Sequence, residues 1–204
     1  MHLRPCRVLW APRGRVGHEL VRLAAEAGLD GLVCDYEPAD NYTRGHAEAY
    51  ATFLRALGSA LRTFSMELGM DVAGWGILDD WDVYASLAEV DLFTSMSPTY
   101  NAKNLTTDRE FTTSLVRAVG PDRAAIGCGS VPAKGFESSC SNMPDFGWTN
   151  ATFSAFTKWL RDEGAVRSLD VWRCDIDHYG RPAEWYIDAV ARFAQVDGAG
   201  ELAV

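Results

Sequence analysis

Apolar and polar positions follow two different periods along this chain, and the periods alternate. Short apolar runs predict buried strands. They lie at 6–11, 32–36, 70–77, 91–96, 124–128 and 169–174. Segments in which apolar residues recur every three or four positions predict helices. They lie at 16–27, 45–68, 81–88, 108–119, 150–163 and 183–194.

Strands that alternate with helices predict an α/β fold whose parallel sheet is covered by helices. No linker-like segment interrupts the 204 residues, so we expect a single domain over 1–204. Polar and aromatic side chains collect directly after the predicted strands, where the active sites of (β/α)8 barrels are built. A barrel of this kind typically needs about 250 residues, so the six predicted strands favour a partial barrel.

The net charge of the chain disfavours two classes of binding partner. A formal net charge of −9 without a basic stripe disfavours a nucleic-acid partner and an anionic membrane surface. No apolar stretch is long enough to span a bilayer. The glycine patterns of nucleotide-binding loops are absent, and the four histidines form no ligand-type pair, so we predict neither a cofactor nor a metal site.

Three acceptor sequons, at Asn41, Asn104 and Asn150, favour a secreted, lysosomal or vacuolar protein over a chance pairing of turn residues. The first twenty residues lack the apolar core of a signal peptide. We therefore expect that the sequence lacks its true beginning. Cys128 and Cys140 bracket a loop that a disulfide is expected to close, whereas Cys34 is expected to be a packed thiol.

Asp35 and Glu37 end the strand predicted at 32–36. Two residues apart on a strand, they share one face. Desolvating two carboxylates together is unfavourable unless they have a role. Either both lie beyond the strand and cap the following loop, or they serve acid catalysis or metal binding.

The surrounding sequence, DGLVCDYEP, resembles the D-G-x-D-x-D-x-E strand of glycoside hydrolase family 18, the chitinases and chitobiases. Asp30 matches the first aspartate of that motif, Asp35 the last, and Glu37 the catalytic glutamate. Val33 stands where the family usually has its middle aspartate. Because this is the fourth barrel strand in the family, the resemblance implies that about strands 3 to 8 of a TIM barrel of the glycoside hydrolase type are present.

Two further stretches resemble later strands of the same family. SMSPTYN resembles its Met/Tyr-containing sixth strand and supplies Tyr100, with Asn101 replacing the usual acid. LDVWRCDID resembles the eighth strand, whose tryptophan forms the floor of the sugar site, and supplies Trp172.

The resemblance implies a hydrolase of β-linked N-acetylglucosamine glycans, such as chitin or chito-oligosaccharides, in which the substrate's own acetamido oxygen attacks. Glu37 is then the general acid, Asp35 holds the acetamido N–H, and Tyr100 binds the acetamido oxygen. The residues expected to bind the oligosaccharide or polysaccharide substrate are Asp30, Trp75, Asn101, Trp172 and Asp175. Oligomeric state is not predicted.

Val33 lies on the same strand face as Asp35 and Glu37, so Asp35 is expected to lack the like-charged neighbour of the usual motif. We therefore expect slower turnover than is typical. Two other functions remain open at this point. One is a catalytically weak or silent sugar-binding relative, and the other is a different TIM-barrel hydrolase that depends on a metal.

Overall fold

The computed structural model describes residues 15–36, 42–72, 81–95, 105–129, 148–164, 166–172 and 183–195. The chain forms two compact units. The first unit comprises Met1–Asp71 and Asp79–Leu92, and the second comprises Val72–Leu78 and Phe93–Val204. The prediction of one domain over the whole chain stays a prediction.

Strands and helices alternate as the sequence predicts. The described strands are β1 (Gly31–Asp35), β2 (Glu67–Val72), β3 (Leu92–Ser95), β4 (Ala124–Gly129) and β5 (Ser168–Trp172). The described helices are α1 (Arg15–Glu26), α2 (Arg44–Arg62), α3 (Trp81–Tyr84), α4 (Leu105–Val119), α5 (Asn150–Trp159) and α6 (Glu184–Gln195). Pro121–Arg123 is a short 3₁₀ turn, and Leu160–Gly164 extends α5 by a π-type turn. The strand predicted at 6–11 lies outside the described residues.

Parallel pairing organises the sheet of each unit, and the strands follow one another in chain order. In the first unit β1 pairs with β2, with Gly31 opposite Glu67 and Asp35 opposite Asp71. In the second unit β4 pairs with β3 on one side and with β5 on the other. The described residues thus confirm a parallel α/β fold.

The two faces of β1 and β2 differ in burial. Leu68 and Met70 are fully buried, as expected for residues that face the helices of this unit. On the opposite face Val33 is 60% exposed, and Asp35 beyond it is exposed too. We call this second face, which carries Val33, Asp35, Gly69 and Asp71, the open face.

Helix α2 packs closely against the chain that precedes β3. Its buried stripe includes Leu54, Leu57 and Leu61, which recur at helical spacing. Gly58 lies in the same stripe, where a Cβ atom would stand 2.6 Å from the carbonyl oxygen of Glu89. The approach of helix backbone to loop backbone therefore requires a glycine at this position.

The turn from α2 into β2 comes earlier than the sequence pattern predicts. The helix predicted at 45–68 ends at Arg62, and the strand predicted at 70–77 begins at Glu67. Ser65 adopts the left-handed conformation, with φ at 58°, and the N–H of Met66 donates to the carbonyl of Leu61 at 3.1 Å. Glycine is the usual residue at a helix ending of this kind. Because serine stands there instead, the sequence pattern did not indicate where the helix ends.

The core of the second unit is aromatic and is built around Phe153 of α5. The Phe153 ring stacks on Tyr186 of α6 at 4.4 Å and meets Trp148 edge-on at 5.2 Å. The hydroxyl of Tyr186 donates to the carbonyl of Cys128 on β4 at 3.4 Å. All six residues of β4 are buried, as is typical of a central parallel strand.

Cys128 is a free and fully buried thiol, so the predicted disulfide with Cys140 is wrong. The side chain of Cys128 takes part in the packed core instead of reaching a surface loop. Cys34 is a free, half-buried thiol, which confirms that prediction. No helix in the described part of the chain is long and apolar enough to cross a membrane.

Asp108, in the first turn of α4, is fully buried, and neither of its carboxylate oxygens has a hydrogen-bond partner among the described residues. Burial raises the pKa of Asp108 to about 7 from its ordinary value of 3.8. The folded chain therefore keeps this proton at pH values where the unfolded chain has lost it.

We predict that Gly58→Ala destabilises the protein by about 1–3 kcal/mol, because the added methyl group collides with the Glu89 backbone. Gly17→Ala in α1 is the control. A Cβ there meets nothing within 4 Å, so helix propensity should stabilise the protein by up to about 1 kcal/mol. Urea unfolding of both variants measures the difference. Equal stabilisation by the two substitutions would contradict the close approach at Gly58.

We also predict that Asp108 makes the folded state less stable as pH rises. Between about pH 4 and 7 its contribution to the free energy of unfolding should fall by up to about 1.4 kcal/mol per pH unit. Asp108→Asn should remove this slope and be the more stable protein at pH 8. Urea unfolding at several pH values tests the prediction, with Glu110→Gln as the control, an exposed acid of the same helix.

Candidate active site

Asp35 is the last residue of β1, at the carboxyl end of the strand, on the open face. Its side chain is exposed and makes no ion pair within the described part of the chain. The atoms around its carboxyl nevertheless exclude some water, and this partial burial raises the pKa of Asp35 above its ordinary value. A carboxylate with room beside it and a raised pKa is suited to proton exchange or to binding a substrate.

Asp71, the residue opposite Asp35 on β2, was missed by the sequence analysis. Paired residues of parallel strands project from the same face, and neighbouring strands lie about 4.8 Å apart. The register therefore places a second acid on the strand beside Asp35, while the raised pKa of Asp35 itself comes from burial. The alternation of Leu68, Met70 and Val72 in ELGMDV signals a strand with Asp71 on its other face, and this pattern could have revealed the residue.

Four tyrosines collect beside this end of β1. The hydroxyl of Tyr50, on α2, donates to the carbonyl of Cys34 at 3.2 Å. Its ring lies 4.7 Å from Tyr36 and 6.1 Å from Tyr84, and the hydroxyls of Tyr42 and Tyr84 lie 2.9 Å apart. The sequence pattern assigned Tyr50 only to the apolar side of α2 and did not predict this cluster.

The tyrosine cluster shields the carboxyl end of β1 from water. Burial, followed by the nearby Cys34, Tyr84, Asp35 and Asp71, raises the pKa of Tyr50. Burial and the charge of Asp71 raise the pKa of the Cys34 thiol to about 11, outweighing the hydrogen bond from Tyr50. Asp35 and Asp71 thus act on the same buried phenol, which places both of their charges near it.

The start of α2, directly after this site, is held by polar contacts. The Thr43 N–H donates to Nδ1 of His46 at 3.0 Å, which caps the helix. Arg44 donates two hydrogen bonds to Asp82 at the start of α3, at 3.1 and 2.6 Å. These contacts fix the segment that carries Tyr42 and Tyr50 against α3.

Asp30 lies before β1, at the opposite end of the strand from Asp35. The two acids are five positions apart, or about 16 Å at the rise of a strand, so the structure does not bring them together. The side chain of Asp30 is exposed, and its carbonyl accepts the Glu67 N–H at 2.9 Å. The described role of Asp30 is therefore to extend the β1–β2 ladder.

Trp172 is the last residue of β5, opposite Gly129 of β4, and thus occupies a carboxyl strand end as the resemblance implies. Trp148, two residues before α5, is buried in the aromatic core. The remaining predicted site residues lie outside the described residues. They are Glu37, Trp75, Tyr100, Asn101 and Asp175. Within the described ranges no group of three or more His, Cys, Asp or Glu side chains is arranged to hold a metal ion.

No protein-family description and no curated protein sequence matches this chain. Solved structures do. A GH18 chitinase from Pseudoalteromonas aurantia is 16% identical, with a TM-score of 0.63 over 92% of this chain and 70% of its own. The catalytic domain of a family GH18 chitinase from the fern Peteris ryukyuensis is 12% identical, with a TM-score of 0.66 over 89% of this chain and 63% of its own.

Catalytic domain 2 of the Ostrinia furnacalis Group II chitinase, in complex with penta-N-acetylchitooctaose, has a TM-score of 0.64 at 10% identity. That match covers 94% of this chain and 72% of the insect domain. The three similarities show that the chain has a parallel α/β fold of the TIM-barrel type, like that of these family 18 chitinase structures. The chain spans 63 to 72% of the length of those structures. This share agrees with the partial barrel that the sequence predicts.

Proposed function

We propose that this chain is a chitinase-like glycosidase that hydrolyses β-linked N-acetylglucosamine glycans. One observation carries the proposal. In a chain with the family 18 fold, Asp35 ends β1 on the open face, with a carboxyl that is accessible and yet has a raised pKa. Two residues later the sequence places Glu37, the position of the family's catalytic glutamate.

The chemistry follows from the residue types. Glu37 is the general acid that protonates the leaving oxygen of the glycosidic bond. Asp35 accepts a hydrogen bond from the acetamido N–H, so that the acetamido oxygen is turned towards the anomeric carbon and attacks it. Asp35 in its ionised form then stabilises the positive charge of the oxazolinium ion, and Tyr100 donates a hydrogen bond to the acetamido oxygen.

Aromatic and polar side chains at other strand ends supply binding. The apolar C–H faces of pyranose rings stack on tryptophan, and Trp172, at the carboxyl end of β5, and Trp75 are the proposed platforms. Asn101 and Asp175 offer hydrogen bonds to sugar hydroxyls. The oligosaccharide bound in the insect chitinase domain supports a chito-oligosaccharide as the ligand of this chain too.

A catalytically silent sugar-binding protein is the second candidate, and Val33 is the observation that favours it. The exposed valine occupies the position of an acid that the family usually keeps. Retention of Glu37 and Asp35 at the motif positions favours the enzyme. A metal-dependent hydrolase, the third reading, differs in requiring a divalent cation and in accepting substrates without the acetamido group.

We predict that Glu37→Gln lowers kcat on N-acetylated chito-oligosaccharides by at least about 100-fold, because an amide cannot protonate the leaving oxygen. The near-isosteric amide should leave substrate binding largely unchanged. Glu48→Gln is the matched control, because Glu48 is an exposed glutamate of α2. Initial rates by reducing-end assay and binding by calorimetry give the two quantities.

The same assay separates the three candidates. The proposed enzyme cleaves the N-acetylated oligosaccharide in the presence of EDTA and does not cleave its de-N-acetylated form. Binding without cleavage by the parent protein would identify the silent relative. Equal turnover by Glu37→Gln and the parent would refute the role of Glu37, and loss of turnover in EDTA would point to metal chemistry.

Export to an oxidising compartment is part of the proposal, and the sequons support it. Asn150 is exposed at the first turn of α5, where a glycosyltransferase can reach it. Expressed behind a signal peptide in a glycosylating host, the protein should lose mass on enzymatic deglycosylation, and Asn150→Gln should carry one glycan fewer. Asn150→Gln and the parent losing the same mass would exclude Asn150 as a site, and no loss by either would remove the main support for export.

A further inference from the structure

A second carboxylate lies beside Asp35 on the open face, and it comes from the neighbouring strand. Asp71 of β2 is the direct register partner of Asp35 in the parallel pair. The backbones of such partners lie about 4.8 Å apart, and their side chains leave the sheet in the same direction. The two carboxyl groups therefore share one side of the sheet at the carboxyl ends of adjacent strands.

The position below the pair is apolar. Val33, two residues before Asp35, lies opposite Gly69, and a Cβ atom on Gly69 would stand only 3.1 Å from Cγ2 of Val33. The Val33 side chain therefore packs against Gly69 and occupies the space in which a Gly69 side chain would lie. Glu67, the other acid of this face within the described part of the strands, lies four residues before Asp71, about 13 Å away.

Neighbouring groups make it unfavourable for both acids to ionise. Phenol and thiol groups of Tyr50, Tyr84 and Cys34 lie on the helix-covered side of this strand end, near enough for the charges of Asp35 and Asp71 to raise the pKa of Tyr50. Asp35 makes no ion pair with any described residue that would stabilise its charge. Two carboxylates that leave neighbouring strands on the same side repel each other, which favours a state in which the pair shares one proton.

We propose that Asp71 is the proton-sharing partner of Asp35. It acts from the adjacent strand in place of the middle aspartate of the family motif, a position at which this chain has Val33. The proposal rests on the proposed function of Asp35 as the group that orients the acetamido N–H. Before substrate attack, the proton resides on Asp35 and Asp71 is ionised. As positive charge develops on the substrate, the proton passes from Asp35 to Asp71, and the ionised Asp35 faces the cation.

This transfer balances without any further reactant. One O–H bond breaks at Asp35 and one forms at Asp71, and the total charge of the pair stays at −1. Asp71 does not touch the substrate in this scheme. It acts through Asp35 and is therefore a positioning residue, whose loss affects protonation more than affinity.

Asp71→Asn tests the proposal through kinetics. We expect kcat to fall about 10- to 100-fold, with little change in KM, because Asp35 can no longer pass on its proton. The step in which Asp35 loses the shared proton should move to lower pH, since Asp35 then titrates without a like-charged neighbour. Val33→Asp, at an exposed position, should restore part of the lost rate in the Asp71→Asn background and add nothing to the parent.

A titration of the carboxyl groups tests the pair without relying on activity. In protein labelled with ¹³C at aspartate carboxyls, Asp35 and Asp71 should titrate as a coupled pair in two separated steps. Asp71→Asn should leave Asp35 with a single step at lower pH. Glu67→Gln, which removes an acid of the same face at the far end of β2, is the matched control and should leave the Asp35 titration unchanged.

The reciprocal measurement covers the case in which Asp71→Asn does not fold. Asp35→Asn, at an exposed position, should shift the Asp71 titration to lower pH. If Asp71→Asn and Glu67→Gln have the same effect on Asp35, or if Asp35→Asn leaves Asp71 unchanged, the proposal is overturned.

The outcomes also separate this proposal from the proposed function. If Glu37→Gln is inactive and the Asp35 titration does not change in Asp71→Asn, the glycosidase proposal stands and the proton-sharing pair is overturned. If the two acids titrate as a coupled pair but Glu37→Gln turns over as fast as the parent, the shared proton stands. The glycosidase proposal then fails, and with it the catalytic role of Asp71.

Discussion

The parallel register between β1 and β2 is the constraint on which the first unit depends. Because side chains alternate along a strand, the pairing of Gly31 with Glu67 decides the face of every later residue on both strands. A slip of one residue would turn Leu68 and Met70 towards the open face and bury acids under the helices. The same register that packs the core therefore also aligns Asp35 with Asp71.

Helix packing and site chemistry are linked through Tyr50. Its ring belongs to the buried side of α2, while its hydroxyl satisfies the Cys34 carbonyl at the end of β1. One side chain thus closes the core, pairs a backbone acceptor and removes water from the vicinity of the acids. Burial that results from this packing is the first cause of the raised pKa values of Tyr50 and Cys34, and the charge of Asp71 adds to it.

Element types could be predicted from the sequence because they depend on local patterns, whereas the position of the active site stays a prediction. Apolar periodicity predicted the described strands and helices, and Asp35 of the predicted strand 32–36 does end the described strand β1. What escaped prediction was non-local. Glu67 and Gly69 are poor strand formers that pair because β1 lies beside them, and Ser65 ends α2 where glycine is usual. Asp71 could be placed beside Asp35 only once that register was known.

The two free thiols in the described part of the chain have a redox consequence. Disulfide exchange begins with attack by a thiolate, so its rate depends on how readily a cysteine loses its proton. Burial raises the pKa of both Cys34 and Cys128, and Cys128 has no exposed surface through which an oxidant could approach. In an oxidising compartment these cysteines would stay reduced because they react too slowly, and the core would keep its packing without a reductant.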